Sequence, residues 1–84
     1  MFNKILVVCV GNICRSPAAE AKLRQLAPAS VQIASAGIQA LVDHPADPQA
    51  QEEARKDGLD LSAHRARQLT DAMCQAHDLI LVME

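Results

Sequence analysis

Residues 5–10, Ile-Leu-Val-Val-Cys-Val, form a continuously apolar run rich in β-branched side chains, and Gly11-Asn12 breaks it just ahead of Ser16-Pro17. A run of that length and composition reads as a strand covered on both faces, the type found in parallel sheets. Ser16-Pro17 reads as the helix start that follows. Ser16 is the expected N-cap and Pro17 the first helical residue, where a missing N–H costs nothing. Glu20 falls one position late for a capping box and is expected in the favourable first turn. Ala19, Leu23 and Leu26 then recur at helical spacing, and the helix is expected to end before Pro28.

Residues 31–34 read as a second short strand, and the strand–helix–strand unit implies parallel pairing through a right-handed crossover. Residues 35–46 are expected to be a loop. Asp47-Pro48 opens a second, polar helix that Gly58 stops. Residues 59–69 read as irregular or extended, Thr70 caps a short helix over 71–76, and residues 78–83 form a third buried strand. The predicted fold class is α/β, an open parallel sheet with helices on both faces, in one domain over residues 1–84. A final strand with no helix after it lacks the cover for one face, so the chain is expected to be the C-terminally incomplete part of such a domain.

Composition removes several function classes. Eight Lys/Arg against ten Asp/Glu leave a net charge of −2 and a pI near 5.8, which excludes nucleic-acid or membrane binding by bulk positive charge. Phe2 is the single aromatic residue, so base stacking is excluded as well. The longest apolar run is too short to span a bilayer, and Met1 is not followed by the features of a signal peptide. Three cysteines offer no disulfide framework, which points to a reducing, cytoplasmic location.

The chemistry concentrates in residues 9–16, Cys-Val-Gly-Asn-Ile-Cys-Arg-Ser. Cys9 ends the first strand, on the side of an open α/β sheet where ligands bind, and Arg15 stands at the mouth of the next helix. A loop between those points can turn its N–H groups inward and, with the helix dipole, cradle an oxyanion. Gly11 and Asn12 tolerate the left-handed backbone such a ring needs. Arg15 adds a planar fork of donors suited to phosphate. Cys9, beside those dipoles, is expected to react as a thiolate and to attack phosphorus, forming a phosphocysteine. The alternative is an inert cysteine ending an apolar strand. A Walker loop is excluded because the G-K-[ST] ending is absent.

Residues 7–20, Val-Val-Cys-Val-Gly-Asn-Ile-Cys-Arg-Ser-Pro-Ala-Ala-Glu, closely resemble the signature of the low-molecular-weight protein-tyrosine phosphatases. Ser35-Ala36-Gly37, Asp47-Pro48, His64-Arg65-Ala66-Arg67-Gln68 and the last strand, ending in Met83-Glu84, match in order. The resemblance implies a phosphatase I-like fold whose last strand and covering helix lie beyond this sequence. It is closest in character to bacterial enzymes that oppose tyrosine autokinases in exopolysaccharide or capsule production. By implication Cys9 is the nucleophile, Arg15 the phosphate clamp, and Ser16 a hydrogen-bond donor to the thiolate. Val10, Gly11, Asn12, Ile13, Cys14 and Arg15 would bind the phosphate, and Asn12, Ser35 and His64 would brace the loop. Read from the residues alone, Ser35 suits a turn and His64 a surface or packing position.

Cys14 is either a reversible disulfide partner for Cys9 or a small filler beneath the loop. Leu41 takes the place of an aromatic residue that flanks the substrate ring in eukaryotic relatives. Cys74 reads as packing. No metal or other cofactor is expected, since Cys9, Cys14 and a histidine lack the paired spacing of a zinc site. Expected partners are a phosphotyrosine protein, for instance a bacterial tyrosine kinase, with inorganic phosphate or vanadate as ligands. The family's general acid, an Asp in an Asp-Pro-aromatic motif, lies beyond this sequence, and Asp47 is assigned to helix capping. The rival readings are a thiol-dependent arsenate reductase and a non-catalytic oxyanion-binding fragment.

Overall fold

The computed structural model of the chain describes residues 3–83. Six elements follow in order: β1 (Lys4–Cys9), α1 (Arg15–Leu26), β2 (Gln32–Gly37), α2 (Pro48–Lys56), α3 (Asp71–Ala76) and β3 (Leu79–Val82). The strands make one parallel sheet in the order β2-β1-β3. From β1 the chain passes to β2 on one side, then returns to place β3 on the other. The carboxyl end of β1 therefore lies at a topological switch point, where open α/β sheets bind their ligands.

Leu6, Val7 and Val8 are each 1% exposed, as a central strand covered on both faces requires. Leu6 and Val8 pack with Ala36 beneath Leu69 and Met73, the latter from α3. On the opposite face α1 lies over β1 and β2, its Glu20 bonded to Ser35. Ala18 and Ala21 of α1 also meet a small cluster of Ala46, Ala54 and Leu61, which seats α2 beside it.

The helix signals at Asp47 and Thr70 act as expected. Asp47 Oδ2 accepts the N–H groups of Gln49 and Ala50 at 3.0 and 3.2 Å, and Thr70 Oγ1 accepts that of Met73. Gly58, at φ 77°, closes α2 with paired bonds from Gly58 N to Arg55 O and from Leu59 N to Ala54 O, the Schellman arrangement that favours glycine. Asp78 Oδ2 accepts the N–H groups of Asn3 and Lys4, ties the entry of β3 to that of β1, and is held below its ordinary 3.8 by those bonds.

Five expectations need correction. β2 runs on through Ser35-Ala36-Gly37 rather than ending at Ala34, because the ladder with β1 continues to the pair Cys9–Gly37. These small residues have weak strand preference, and a paired neighbour overrides it. Val10 leaves β1 and is 57% exposed. β3 is not buried: Ile80, Leu81 and Val82 are 38%, 39% and 64% exposed, since β3 edges the sheet with β1 as its one strand neighbour among the described residues. The inward side of α1 carries Ser16, Pro17 and Glu20, while Leu26 is 71% exposed. Glu20 sits in the second turn, so it reaches across to β2 instead of serving the helix start. No helix among the described residues is long and apolar enough to cross a membrane.

Candidate active site

The loop between β1 and α1 is held from outside by its carbonyl groups. Cys9 O accepts Ile38 N (2.9 Å), Val10 O accepts Gln39 N (2.9 Å), Gly11 O accepts Leu41 N (3.1 Å) and Ile13 O accepts Asp47 N (2.7 Å). The fifth, Asn12 O, accepts His64 Nε2 at 2.7 Å. Five consecutive carbonyls thus face away from the loop centre. Asn12 N–H points to Cys9 Sγ at 3.3 Å. The N–H groups of Gly11, Ile13 and Cys14 have no acceptor among the described residues. Together with the free first-turn amides of α1 they form a ring of donors, a geometry suited to a tetrahedral oxyanion.

Asn12 makes the ring possible. It adopts φ 59°, in the left-handed region that asparagine tolerates better than most residues, and is fully buried. Its Oδ1 accepts Arg67 N at 2.8 Å, which settles the amide orientation. Its Nδ2 then donates to Ser16 Oγ at 2.7 Å and to Ser35 Oγ at 3.0 Å. Ser16 Oγ lies 2.8 Å from Cys9 Sγ. Since its oxygen already accepts from Asn12, its hydroxyl proton is free to point at the sulfur.

Ser16 therefore does not cap α1, as its sequence position suggested. The helix begins at Arg15 with Cys14 as N-cap and no side-chain cap bond, because the Ser16 hydroxyl is committed to Cys9 and Asn12. Ser35 is no turn residue but a buried member of β2, and His64 is more than a surface residue, since it donates to the loop. Cys9 is buried, and Cys14 is exposed, which excludes the filler reading. Cys9, Val10, Gly11, Ile13, Cys14 and Arg15, with Met83 opposite, line a cavity of about 220 Å³. Leu41 does not line it. That residue is 46% exposed and reaches the loop through its backbone N–H. Cys74 is half-buried in α3, and Asp47 is occupied as the cap of α2.

Two contributors escaped the sequence reading. Gly37 backs directly onto the loop: a Cβ there would stand 2.5 Å from Val10 O and 3.0 Å from Asn12 N. Gly37→Ala is expected to displace the loop and cost about 1–3 kcal/mol, the usual penalty of overpacking. Urea denaturation checks the cost, and phosphate titration should show weaker binding. Wild-type values in both would mean that the loop does not depend on this close approach. The other contributor is Glu20, which accepts the Ser35 hydroxyl and pairs with Arg24 at 2.6 Å. An acid four residues before an arginine on a helix is visible in sequence, but its burial and its partner on β2 are not.

Residues 4–84 match the family described as low molecular weight phosphotyrosine protein phosphatase. The low molecular weight protein-tyrosine-phosphatase Wzb of Salmonella typhi is 55% identical over 84 residues, which is all of this chain and 56% of that protein. Among solved structures, the tyrosine phosphatase Wzb from Escherichia coli K30 in complex with sulphate superposes with a TM-score of 0.95 at 55% identity, covering all of this chain and 58% of that one. Vibrio vulnificus Wzb in complex with benzylphosphonate gives a TM-score of 0.95 at 52% identity, covering all of this chain and 60% of that one. The chain thus spans somewhat more than half the length of these relatives.

Proposed function

This chain belongs to the low molecular weight phosphotyrosine protein phosphatase family, and on that premise we propose that it carries the nucleophile and phosphate cradle of a protein-tyrosine phosphatase. The phosphoryl group of a phosphotyrosine protein sits over Cys9. Its oxygens are bonded by the N–H groups of Gly11, Ile13 and Cys14, by the first-turn amides of α1 and by the Arg15 guanidinium. Cys9 Sγ attacks phosphorus in line. The S–P bond forms as the bond from phosphorus to the tyrosyl oxygen breaks, and that oxygen leaves with the electron pair and takes up a proton from solvent. Water then attacks phosphorus and gives up a proton to solvent, the S–P bond returns its pair to sulfur, and inorganic phosphate departs. Ser16 stabilises the thiolate as nucleophile and as leaving group, while Asn12, Ser35 and His64 keep the ring in shape.

The observation that carries this reading is the run of five outward-bonded carbonyls from Cys9 to Ile13, which leaves the loop amides gathered around one sulfur. The sulphate and benzylphosphonate complexes of the Wzb relatives support an oxyanion ligand. The protein acts in the cytoplasm, a reading that rests on three cysteines with no disulfide framework, and its phosphotyrosine partner is a tyrosine autokinase of polysaccharide export, a reading that rests on the resemblance to the bacterial enzymes. The direct test is rapid quench of the full-length enzyme mixed with a phosphate-labelled phosphotyrosine peptide. Label is expected on the peptide that contains Cys9. Label on another residue, or a burst of dephosphorylated product with no labelled Cys9, would overturn the assignment.

A further inference from the structure

Glu20 is 6% exposed in the middle of α1, and no step of the chemistry above uses it. Burying a carboxylate is costly unless it is paired and hydrogen-bonded, and both of its oxygens are engaged. Oε2 pairs with Arg24, whose guanidinium also donates to Ile33 O on β2. Oε1 takes the Ser35 hydroxyl proton. A carboxylate can only accept, so Ser35 must donate toward Glu20 and present its oxygen to Asn12. Asn12 meets that oxygen with Nδ2, in the same orientation that Arg67 N imposes on Oδ1 from the other side. The second Nδ2 hydrogen goes to Ser16, and the only direction left for the Ser16 proton in this cluster is Cys9 Sγ.

We propose that Glu20 is a positioning residue for Cys9, fixing the proton direction in the chain Glu20–Ser35–Asn12–Ser16 so that Ser16 always donates to the sulfur. The role presupposes Cys9 as the nucleophile. A buried network with every member satisfied holds one arrangement, whereas a half-satisfied one does not. Were Glu20 neutral and able to donate, Ser35 could reverse its hydroxyl and the Asn12 amide would face a competing donor. Arg67 N alone would then hold the Asn12 amide against that donor, and Ser16 would be oriented less firmly.

The test reads sulfur reactivity and not turnover, so that its failure is distinct from failure of the phosphatase reading. In the full-length protein, the rate of Cys9 alkylation by iodoacetate is followed against pH by peptide mass mapping. Glu20→Gln keeps size and shape while losing the obligate acceptor. It should slow alkylation at acidic pH about threefold or more, in the range of coupling found within one hydrogen-bond network, and move the profile to higher pH. Ser35→Ala cuts the same link nearer the loop and should do likewise. In a Ser16→Ala background Glu20→Gln should change nothing further. A structural role alone would lower the unfolding midpoint and leave the profile in place. A wild-type profile in both single variants, or a shift from Glu20→Gln that persists in Ser16→Ala, overturns the proposal.

Discussion

Cys9→Ser protein is expected to lose phosphatase activity by a factor on the order of 10⁴ or more, the scale seen when a nucleophile is removed, while phosphate binding stays within about threefold of wild type. The two halves of this result come from different parts of the site. Serine fits where cysteine was, and every carbonyl anchor of the loop, from Ile38 N to Asp47 N, is untouched. The inward amides and Arg15 therefore still hold the oxyanion. What disappears is the thiol, the proposed nucleophile. A hydroxyl needs a base to attack, and its nearest side-chain partner is the Ser16 hydroxyl at 2.8 Å. His64, the imidazole next to the loop, spends Nε2 on the outer carbonyl of Asn12. Calorimetric titration with phosphate and hydrolysis of p-nitrophenyl phosphate measure the two halves. Appreciable hydrolysis by purified Cys9→Ser protein would remove Cys9 from the nucleophile's role.

Arg15→Lys should lower kcat/KM by on the order of 10²–10³, the cost of removing a donor aimed at developing transition-state charge. Arg15 is the first residue of α1, and its exposed side chain lines the same cavity as Cys9. A guanidinium placed there can grip two phosphate oxygens in one plane, and an ammonium cannot. Because lysine keeps the positive charge, ground-state phosphate affinity and its salt dependence should change only a few-fold, so the loss falls mainly on kcat. Steady-state kinetics with a phosphotyrosine peptide separates the two parameters. A variant within threefold of wild type in kcat would mean that charge alone, not the fork geometry, is what the site needs from this position.

Much of this molecule was legible before any fold was known, and the reason is locality. The Asp47-Pro48 helix start and the Thr70 cap act through bonds within a few residues, and the β-branched run at 5–10 declares itself by composition, so pattern and spacing suffice to find them. Cys9, Arg15 and the tolerant pair Gly11-Asn12 belong to the same class, for the loop they shape is one short stretch of chain. The local rules misjudged residues whose partners are distant in sequence. Ser16 looks like a cap and serves Cys9 instead, and Ser35 looks like a turn residue and is a buried strand member. Glu20 looks like first-turn charge and is bonded to β2. The loop's shape comes from donors on four later residues, Ile38, Gln39, Leu41 and Asp47, and from His64, 52 positions beyond Asn12. Parallel pairing of β1 with β2 brings the first of these into place, because two strands joined by a crossover helix meet only once the whole unit has packed. The sequence by itself determined where a thiol and the loop around it would be. The tertiary structure decided which way the amides and hydroxyls face, since a polar group buried in a packed core takes its direction from whichever partner the fold delivers.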